Sequence, residues 1–220
     1  MRLPIDTLWR EFLDHLPLIA ILRGIQPAEA VAMAQALCAA GFRCLEVPLN
    51  SPAALESIAR IRDRFEDRLL IGAGTVLNLD EVNAAFGVGA LLVVSPNSKP
   101  EVIRAVKSAG MISIPGFATP TEAFAALDAG ADALKLFPAE QAAPAVLRAF
   151  KAVLPPAVPV IAVGGISSEN MASYRACGAA GFGIGTSLYR PGASAEEVHR
   201  RATEMVAAWH ECQVSAQRMS

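Results

Sequence analysis

The chain has few charged and few aromatic side chains, and no stretch of it is long enough to form a membrane helix. Charged residues make up 18% of its 220 residues, and the formal net charge is −2 without a basic cluster, so a nucleic-acid surface is not expected. The longest stretches without a charge, 82–98 and 152–168, are shorter than the roughly 20 apolar residues that span a membrane. Because 53% of the residues are hydrophobic, we predict a folded, soluble protein that binds neither nucleic acid nor membrane.

Cysteine and histidine are too few and too scattered for a disulfide framework or a metal site. The histidines, His15, His199 and His210, lie in the terminal segments, so we expect no metal ion. A phosphate-binding P-loop and a nucleophile elbow are also lacking, and no cofactor is expected. The absence of a C-x-x-C pair predicts reduced thiols and a cytoplasmic protein. The cysteines occupy positions 38, 44, 177 and 212.

Eight apolar runs of strand length recur at roughly even spacing, and alanine-rich stretches with helical periodicity separate them. Ser51-Pro52 and Thr119-Pro120 fit helix starts, because proline is favoured in the first turn. The alternation predicts a parallel sheet covered by helices. The runs are 16–24, 41–49, 69–76, 89–96, 110–117, 130–138, 158–165 and 178–185.

Eight strand–helix units close naturally into a (β/α)8 barrel, the TIM-barrel fold, here with short loops. The alternative is an open, doubly wound sheet, which usually carries G-x-G-x-x-G after its first strand, and this chain does not. We expect one domain over residues 1–220. Residues 1–15 would form an extra N-terminal helix that covers the bottom of the barrel, 16–205 the barrel, and 206–220 a C-terminal tail that frays after Trp209.

Three strand runs contain a charged residue at or near the strand centre or the C-terminal end, namely Arg23, Glu46 and Lys135. A charge in a strand that is buried on both faces is costly unless it is paired or used. Strand alternation directs all three side chains into the barrel, towards its C-terminal mouth. Active sites of barrel enzymes lie at this end.

Lys135 is the only one of the four lysines that lies in an apolar strand run. Burial lowers the pKa of a lysine, and the neutral amine is a nucleophile towards carbonyl groups. The alternative is a buried ion pair between Lys135 and Glu46 that only supports the barrel. Glu46 is either such a counter-ion or a general base, and Arg23 either caps strand ends or holds a substrate carboxylate.

Glycine-rich segments end the seventh and eighth runs. In barrels the loops at these positions often bind phosphate through backbone N–H groups, although the glycines could simply let strands turn into helices. Thr75, after the third run, faces inward, where it either donates to a substrate carboxylate or satisfies a buried backbone group. The predicted phosphate cradle consists of Gly164, Gly165, Gly185, Thr186 and Ser187.

Several motifs together resemble one enzyme family: LEV with Glu46, IGAGTVLN, VSPN, IPGFATPTEA, LKLFPAE with Lys135, and VGGIS. Over residues 16–205 the chain resembles the class I aldolases that act on 2-keto-3-deoxy-6-phosphogluconate (KDPG) and 2-dehydro-3-deoxy-6-phosphogalactonate (KDPGal). The resemblance implies a homotrimeric barrel in which Lys135 forms a Schiff base with the 2-keto group. Glu46 would act through water as acid and base, and Arg23 and Thr75 would bind the carboxylate.

Within this family the chain resembles the galactonate enzymes more than the gluconate enzymes. The gluconate enzymes typically have arginine in the region of Asn50 and threonine at the position of Val163. The resemblance therefore implies cleavage of KDPGal to pyruvate and D-glyceraldehyde 3-phosphate. Alternatives are cleavage of KDPG or 4-hydroxy-2-oxoglutarate by the same residues, and an inactive barrel that only binds sugar phosphates. Which hydroxyl, Thr186 or Ser187, contacts phosphate stays open. The expected specificity residues are Val163, Asn50, Phe137 and Pro96.

Overall fold

The computed structural model describes residues 4–217, and its strands all run parallel in a single sheet. The strands are β1 Leu18–Ile21, β2 Cys44–Pro48, β3 Leu70–Gly74, β4 Leu92–Val94, β5 Ile112–Ile114, β6 Gly116–Phe117, β7 Leu134–Leu136, β8 Val160–Val163 and β9 Gly181–Ile184. They pair in the order β5-β4-β3-β2-β1-β9-β8-β7-β6. The first and last strands of the chain are thus neighbours, as in a barrel, and the predicted (β/α)8 fold is confirmed.

The fifth apolar run forms two strands instead of one, so the eight predicted runs yield nine strands. Pro115 separates β5, which pairs with β4, from β6, which pairs with β7. Proline has no N–H to donate to a sheet, but its carbonyl accepts a hydrogen bond of 2.8 Å from the Lys135 amide. Both edges of the sheet therefore belong to residues 112–117, and the barrel closes along this segment.

Helices on the outside of the barrel connect the strands, and two of their starts were predicted from the pairs Ser51-Pro52 and Thr119-Pro120. Thr119 caps its helix through a capping box with Glu122, and Pro120 follows it, as predicted. The predicted start at Ser51 is wrong, because that helix begins at Ala54. The helices are α1 Ile5–His15, α2 Pro27–Ala39, α3 Ala54–Phe65, α4 Leu79–Gly87, α5 Pro100–Ser108, α6 Pro120–Asp128, α7 Pro144–Val153, α8 Met171–Ala176 and α9 Ala195–Gln217, with 3-10 turns at Glu66–Arg68 and Ala139–Gln141.

The predicted N-terminal helix is present as α1 and closes the bottom of the barrel. Its Trp9 and Phe12 are buried and stack with ring centroids 5.2 Å apart. They pack against inward residues of the first strands, such as Ile19, Cys44 and Leu70. Side chains therefore fill the interior of the barrel from below, and the C-terminal ends of the strands stay open to a ligand. Residues 1–3 of the predicted helix lie outside the described residues.

The expectation of a frayed tail after Trp209 is wrong, since α9 continues to Gln217. Trp209 and Cys212 are buried, and the Trp209 ring meets the Phe182 ring edge-on at 6.1 Å between centroids. Apolar contact with the barrel thus holds this helix beyond the predicted end. Residues 218–220 lie outside the described residues. All four cysteines are free thiols, and no helix within residues 4–217 is long and apolar enough to cross a membrane.

Candidate active site

The structure places Arg23, Glu46 and Lys135 at the C-terminal end of the barrel. Glu46 and Lys135 lie within β2 and β7, and Arg23 is the second residue after β1. Lys135 is 6% exposed and Glu46 2%, whereas Arg23 lies at the open mouth. The three charges are close enough to interact through space, because Lys135 and Arg23 both lower the pKa of Glu46, and Glu46 raises that of Lys135. They form one electrostatic cluster contributed by three strands.

The Lys135 side chain occupies an apolar environment that favours its neutral form. Its Nζ lies 4.5 Å from the centroid of the Phe137 ring. Burial lowers the pKa of the Lys135 amine, the positive charge of Arg23 lowers it further, and Glu46 opposes both. A lysine in this state has a larger unprotonated fraction near neutral pH and can attack a carbonyl carbon.

Glu46 has the opposite shift, and one of its oxygens has no partner. Burial raises the pKa of Glu46 from its ordinary 4.5 to about 7, against the lowering effects of Lys135 and Arg23. Within the described part of the chain, Oε2 of Glu46 accepts no hydrogen bond although it is buried. With a pKa of about 7, this carboxylate can exchange a proton near neutral pH with a molecule that enters the barrel.

Gly74 on the neighbouring strand makes room for the Glu46 carboxylate. A Cβ atom built at this position would overlap Oε2 and would lie 2.7 Å from Oε1. Sequence reasoning did not single out this glycine. The signal that could have identified it is the presence of two glycines, Gly72 and Gly74, in one strand run. Glycine is uncommon in a strand interior unless another group approaches the backbone closely.

Arg23 is held at the mouth by two side chains from the adjacent strand ends. One guanidinium nitrogen donates to Asn50 Oδ1 at 2.5 Å, and the other donates to Thr75 Oγ1 at 3.4 Å. Thr75 has a left-handed backbone, with φ of 58°, and its amide donates to the Val94 carbonyl. The structure thus brings Arg23, Asn50 and Thr75 into one polar group that can receive a carboxylate.

The two glycine-rich loops lie side by side at the mouth, after the neighbouring strands β8 and β9. Gly164 and Gly165 both have positive φ, at 105° and 66°, and a Cβ on Gly185 would meet no atom within 4 Å. The Ser187 hydroxyl donates to the Ile166 carbonyl at 2.8 Å, which joins the loops. Because this bond uses the Ser187 proton, the exposed Thr186 hydroxyl is better placed to donate to an anion.

The predicted specificity residues occupy different depths of the site. Val163 is buried inside the barrel beside Ile21, and Gly183 allows this packing, since a Cβ there would lie 2.7 Å from Val163 Cγ2. Phe137 is half-buried next to Lys135. Pro96 is half-buried after β4, where its carbonyl packs closely against Gly116.

Two further contacts at the mouth were not predicted. The buried Tyr189 donates its phenol to Glu29 Oε1 at 2.7 Å, and burial together with Glu29 raises its pKa. This bond ties the turn after β9 to helix α2. The Ser51 hydroxyl accepts a 2.9 Å hydrogen bond from the Gly24 amide. In residues 4–217, no group of three His, Cys, Asp or Glu side chains is arranged to hold a metal ion.

The chain matches the family model "KDPG and KHG aldolase" over residues 10–203. It is 50% identical over 196 residues to the 2-dehydro-3-deoxy-6-phosphogalactonate aldolase of Escherichia coli, covering 89% of this chain and 96% of that protein. A solved structure described as the native KDPGal structure is 50% identical, with a TM-score of 0.88 over 90% of this chain and 96% of that one.

A more distant structure is that of the KDPG aldolase of Legionella pneumophila, in which pyruvate was captured as a covalent carbinolamine intermediate. It is 28% identical, with a TM-score of 0.77 and coverage of 92% of this chain and 95% of that one. The family match spans most of the chain, and the fold agrees with that of the solved KDPGal structure. The protein therefore belongs to the KDPG and KHG aldolase family.

Proposed function

We propose that the protein is a class I aldolase that cleaves 2-dehydro-3-deoxy-6-phosphogalactonate to pyruvate and D-glyceraldehyde 3-phosphate. The observation that carries this proposal is the buried Lys135 amine, with its lowered pKa, in the same charged cluster as Glu46. The identity of 50% to a relative of that name supports the galactonate substrate. An inactive sugar-phosphate-binding barrel would not need a desolvated lysine beside an unsatisfied carboxylate.

The reaction begins when the neutral Lys135 amine attacks the C2 carbonyl carbon of the substrate. The resulting carbinolamine loses water and becomes a protonated imine, which can accept an electron pair. The captured carbinolamine of the Legionella relative supports this route for the family. Phe137 packs over the amine and excludes water from one side.

Glu46 then carries the proton steps. As a carboxylate, Glu46 takes the proton of the C4 hydroxyl through a water molecule. The C3–C4 bond then breaks, and the electron pair of that bond moves into the imine to give an enamine. D-Glyceraldehyde 3-phosphate leaves. Protonation of the enamine at C3 and hydrolysis of the imine release pyruvate and regenerate Lys135. A pKa of about 7 lets Glu46 serve as base and acid at neutral pH.

The ends of the substrate would be held by the two polar regions of the mouth. Arg23 and Thr75 would bind the carboxylate, with Asn50 orienting Arg23. The backbone of the loops after β8 and β9 would bind the phosphate, and Thr186 would donate its hydroxyl. The residues of this cradle are Gly164, Gly165, Gly185, Thr186 and Ser187. Val163 would face C4 as an apolar wall, which suits the galactonate configuration better than a threonine would.

The decisive experiment is covalent trapping with pyruvate and borohydride, followed by mass spectrometry of the peptides. We expect one reduced adduct, on Lys135, and none in Lys135→Arg, because arginine keeps the charge but does not act as a nucleophile. An adduct on Lys99, Lys107 or Lys151, or no adduct, would refute the aldolase mechanism. A parallel cleavage assay with both C4 epimers then separates the galactonate substrate from the gluconate alternative.

The quaternary structure and the cellular location are part of the same proposal. Apolar side chains on the outer surface, among them Leu77, Leu79, Phe86 and Phe124, fit a contact between copies in the homotrimer that the family resemblance implies. Sedimentation equilibrium should give three times the 23.1 kDa of one chain. We expect the single domain, residues 1–220, to unfold as one unit and the protein to be found in the cytoplasmic fraction.

A further inference from the structure

The hydrogen-bond ladder between β1 and β2 continues for one step beyond the strands, through a side chain. The Leu22 amide donates to the Glu46 carbonyl at 2.9 Å, so the next parallel rung would join the Gly24 amide to the Pro48 carbonyl. That carbonyl instead accepts from the Ser51 amide, at 2.9 Å. The Gly24 amide donates to the Ser51 hydroxyl, also at 2.9 Å, and this hydroxyl replaces the missing rung.

This bond lies directly beside the Arg23 guanidinium. Ser51 is buried, and the preceding residue, Asn50, accepts the hydrogen bond from Arg23. Two consecutive residues therefore hold the side chain of Arg23 and the amide of the residue after it. On the other side of the segment, Gly24 has φ of 82°, and a Cβ there would lie 2.8 Å from Pro191, so the backbone is packed tightly between Pro191 and Ser51.

We propose that Ser51 is a positioning residue for substrate binding, which fixes the backbone at Arg23–Gly24 and thereby aims the Arg23 guanidinium at the substrate carboxylate. The inference rests on the proposed aldolase function, in which Arg23 binds that carboxylate. Arg23 is exposed and long, so its side chain contributes a defined geometry only if its backbone is fixed. Ser51 contacts backbone rather than the space where substrate binds, and it acts through Arg23.

Removal of the hydroxyl would leave the Gly24 amide without its partner at a half-buried position. An unpaired amide of this kind costs enough free energy that the segment is expected to shift until water reaches it. The Arg23 guanidinium would then lose its orientation, and every substrate with a carboxylate at C1, pyruvate included, would bind less tightly. The chemistry at Lys135 and Glu46, on other strands, would be retained once the site is saturated.

The test is a pyruvate titration of borohydride trapping at Lys135, in wild type and Ser51→Ala. We expect the half-saturating pyruvate concentration to rise about fivefold or more in Ser51→Ala, with the same adduct yield at saturation. Ser57→Ala is the matched control, because the Ser57 side chain is also buried, its hydroxyl has no hydrogen-bond partner among the described residues, and it lies within α3. It should leave the half-saturation unchanged.

A second pair of variants separates positioning from a general structural effect. In the Arg23→Ala background, Ser51→Ala should change the half-saturating concentration less than twofold, since the residue through which Ser51 acts is gone. Ser51→Thr keeps the hydroxyl and should stay within about twofold of wild type, which gives a readout even where Ser51→Ala fails to fold.

Three results would each overturn the proposal. The half-saturating pyruvate concentration could be unchanged in Ser51→Ala, or Ser51→Ala could raise it as much in the Arg23→Ala background as in wild type. The third result is a rise of fivefold or more in Ser51→Thr. Failure of the aldolase function is distinguishable, because wild type itself would then give no adduct on Lys135.

Discussion

A methyl group at Gly74 would test whether the position of the Glu46 carboxylate, and not only its presence, sets the rate. The added Cβ would overlap Oε2 and lie 2.7 Å from Oε1, whereas van der Waals contact requires more than about 3 Å. The carboxylate must therefore retreat by more than about 1 Å. Gly74 has no left-handed backbone, so alanine is conformationally acceptable there, and the atoms that yield are at the end of a flexible side chain.

We expect Gly74→Ala to fold and to lose turnover. A displacement of about 1 Å at a reacting group costs on the order of 10²-fold in rate, and complete loss of general acid–base catalysis costs about 10²–10⁴-fold. The fall in kcat should therefore lie between about 50-fold and 10⁴-fold. Imine formation at Lys135 depends less on Glu46, and the amount of adduct that borohydride traps at saturating pyruvate should change little.

The assay is the release of glyceraldehyde 3-phosphate coupled to its reduction by NADH, together with thermal unfolding of each variant. Gly87→Ala is the control, because a Cβ at Gly87 meets no atom within 4 Å, and it should match wild type in both measurements. A kcat of Gly74→Ala within threefold of wild type would refute the reasoning. So would a rate loss that is fully explained by unfolding of the variant.

Three further outcomes follow from the site. Because the pKa of Glu46 is about 7, kcat should rise with pH up to about 7 and then level off, and a flat profile between pH 5 and 8 would contradict its role as a base. Because the pKa of Glu46 is raised on folding, the free energy of unfolding of wild type should fall as the pH rises from 4.5 to 7. Glu46→Gln lacks this titration. Its free energy of unfolding, relative to that of wild type, should therefore increase by about 2–3 kcal/mol between pH 5 and pH 8 in urea denaturation. Val163→Thr adds a hydroxyl that faces C4 in the proposed substrate complex, where a hydrogen bond is worth roughly 0.5–1.5 kcal/mol. The variant should therefore shift the ratio of kcat/KM for the two epimers about two- to twelvefold towards the gluconate epimer. An unchanged ratio would show that Val163 does not determine specificity.

The strands and their charged residues could be predicted from the sequence because burial restricts both faces of a barrel strand. The apolar run around Lys135 indicates that this strand is buried, and strand alternation then determines the direction of the Lys135 side chain. The start of α6 was predictable for a similar reason, since Thr119, Pro120 and Glu122 form a local cap that needs no distant partner.

The features that the sequence did not predict depend on partners far away in the chain. Ser51-Pro52 has the composition of a helix start, but the hydroxyl is engaged by Gly24, which lies 27 residues earlier. Pro115 divides a continuous apolar run only because its two halves pair with different neighbours. The continuation of α9 past Trp209 depends on burial of Trp209 and Cys212 against the barrel, which no local pattern reveals.

Closure of the barrel at residues 112–117 has a consequence for when the chain becomes reactive. Glu46 and the residues proposed to bind the carboxylate precede this segment in the sequence, and Lys135 and the loops proposed to bind the phosphate follow it. Neither half alone assembles the pair of Glu46 and Lys135. Before closure the Lys135 amine would be in water, where it is mostly protonated at neutral pH and therefore reacts slowly with carbonyl compounds. The chain thus acquires its reactive amine only when the two halves of the barrel join, and activity recovered from two separately produced halves would report that joining.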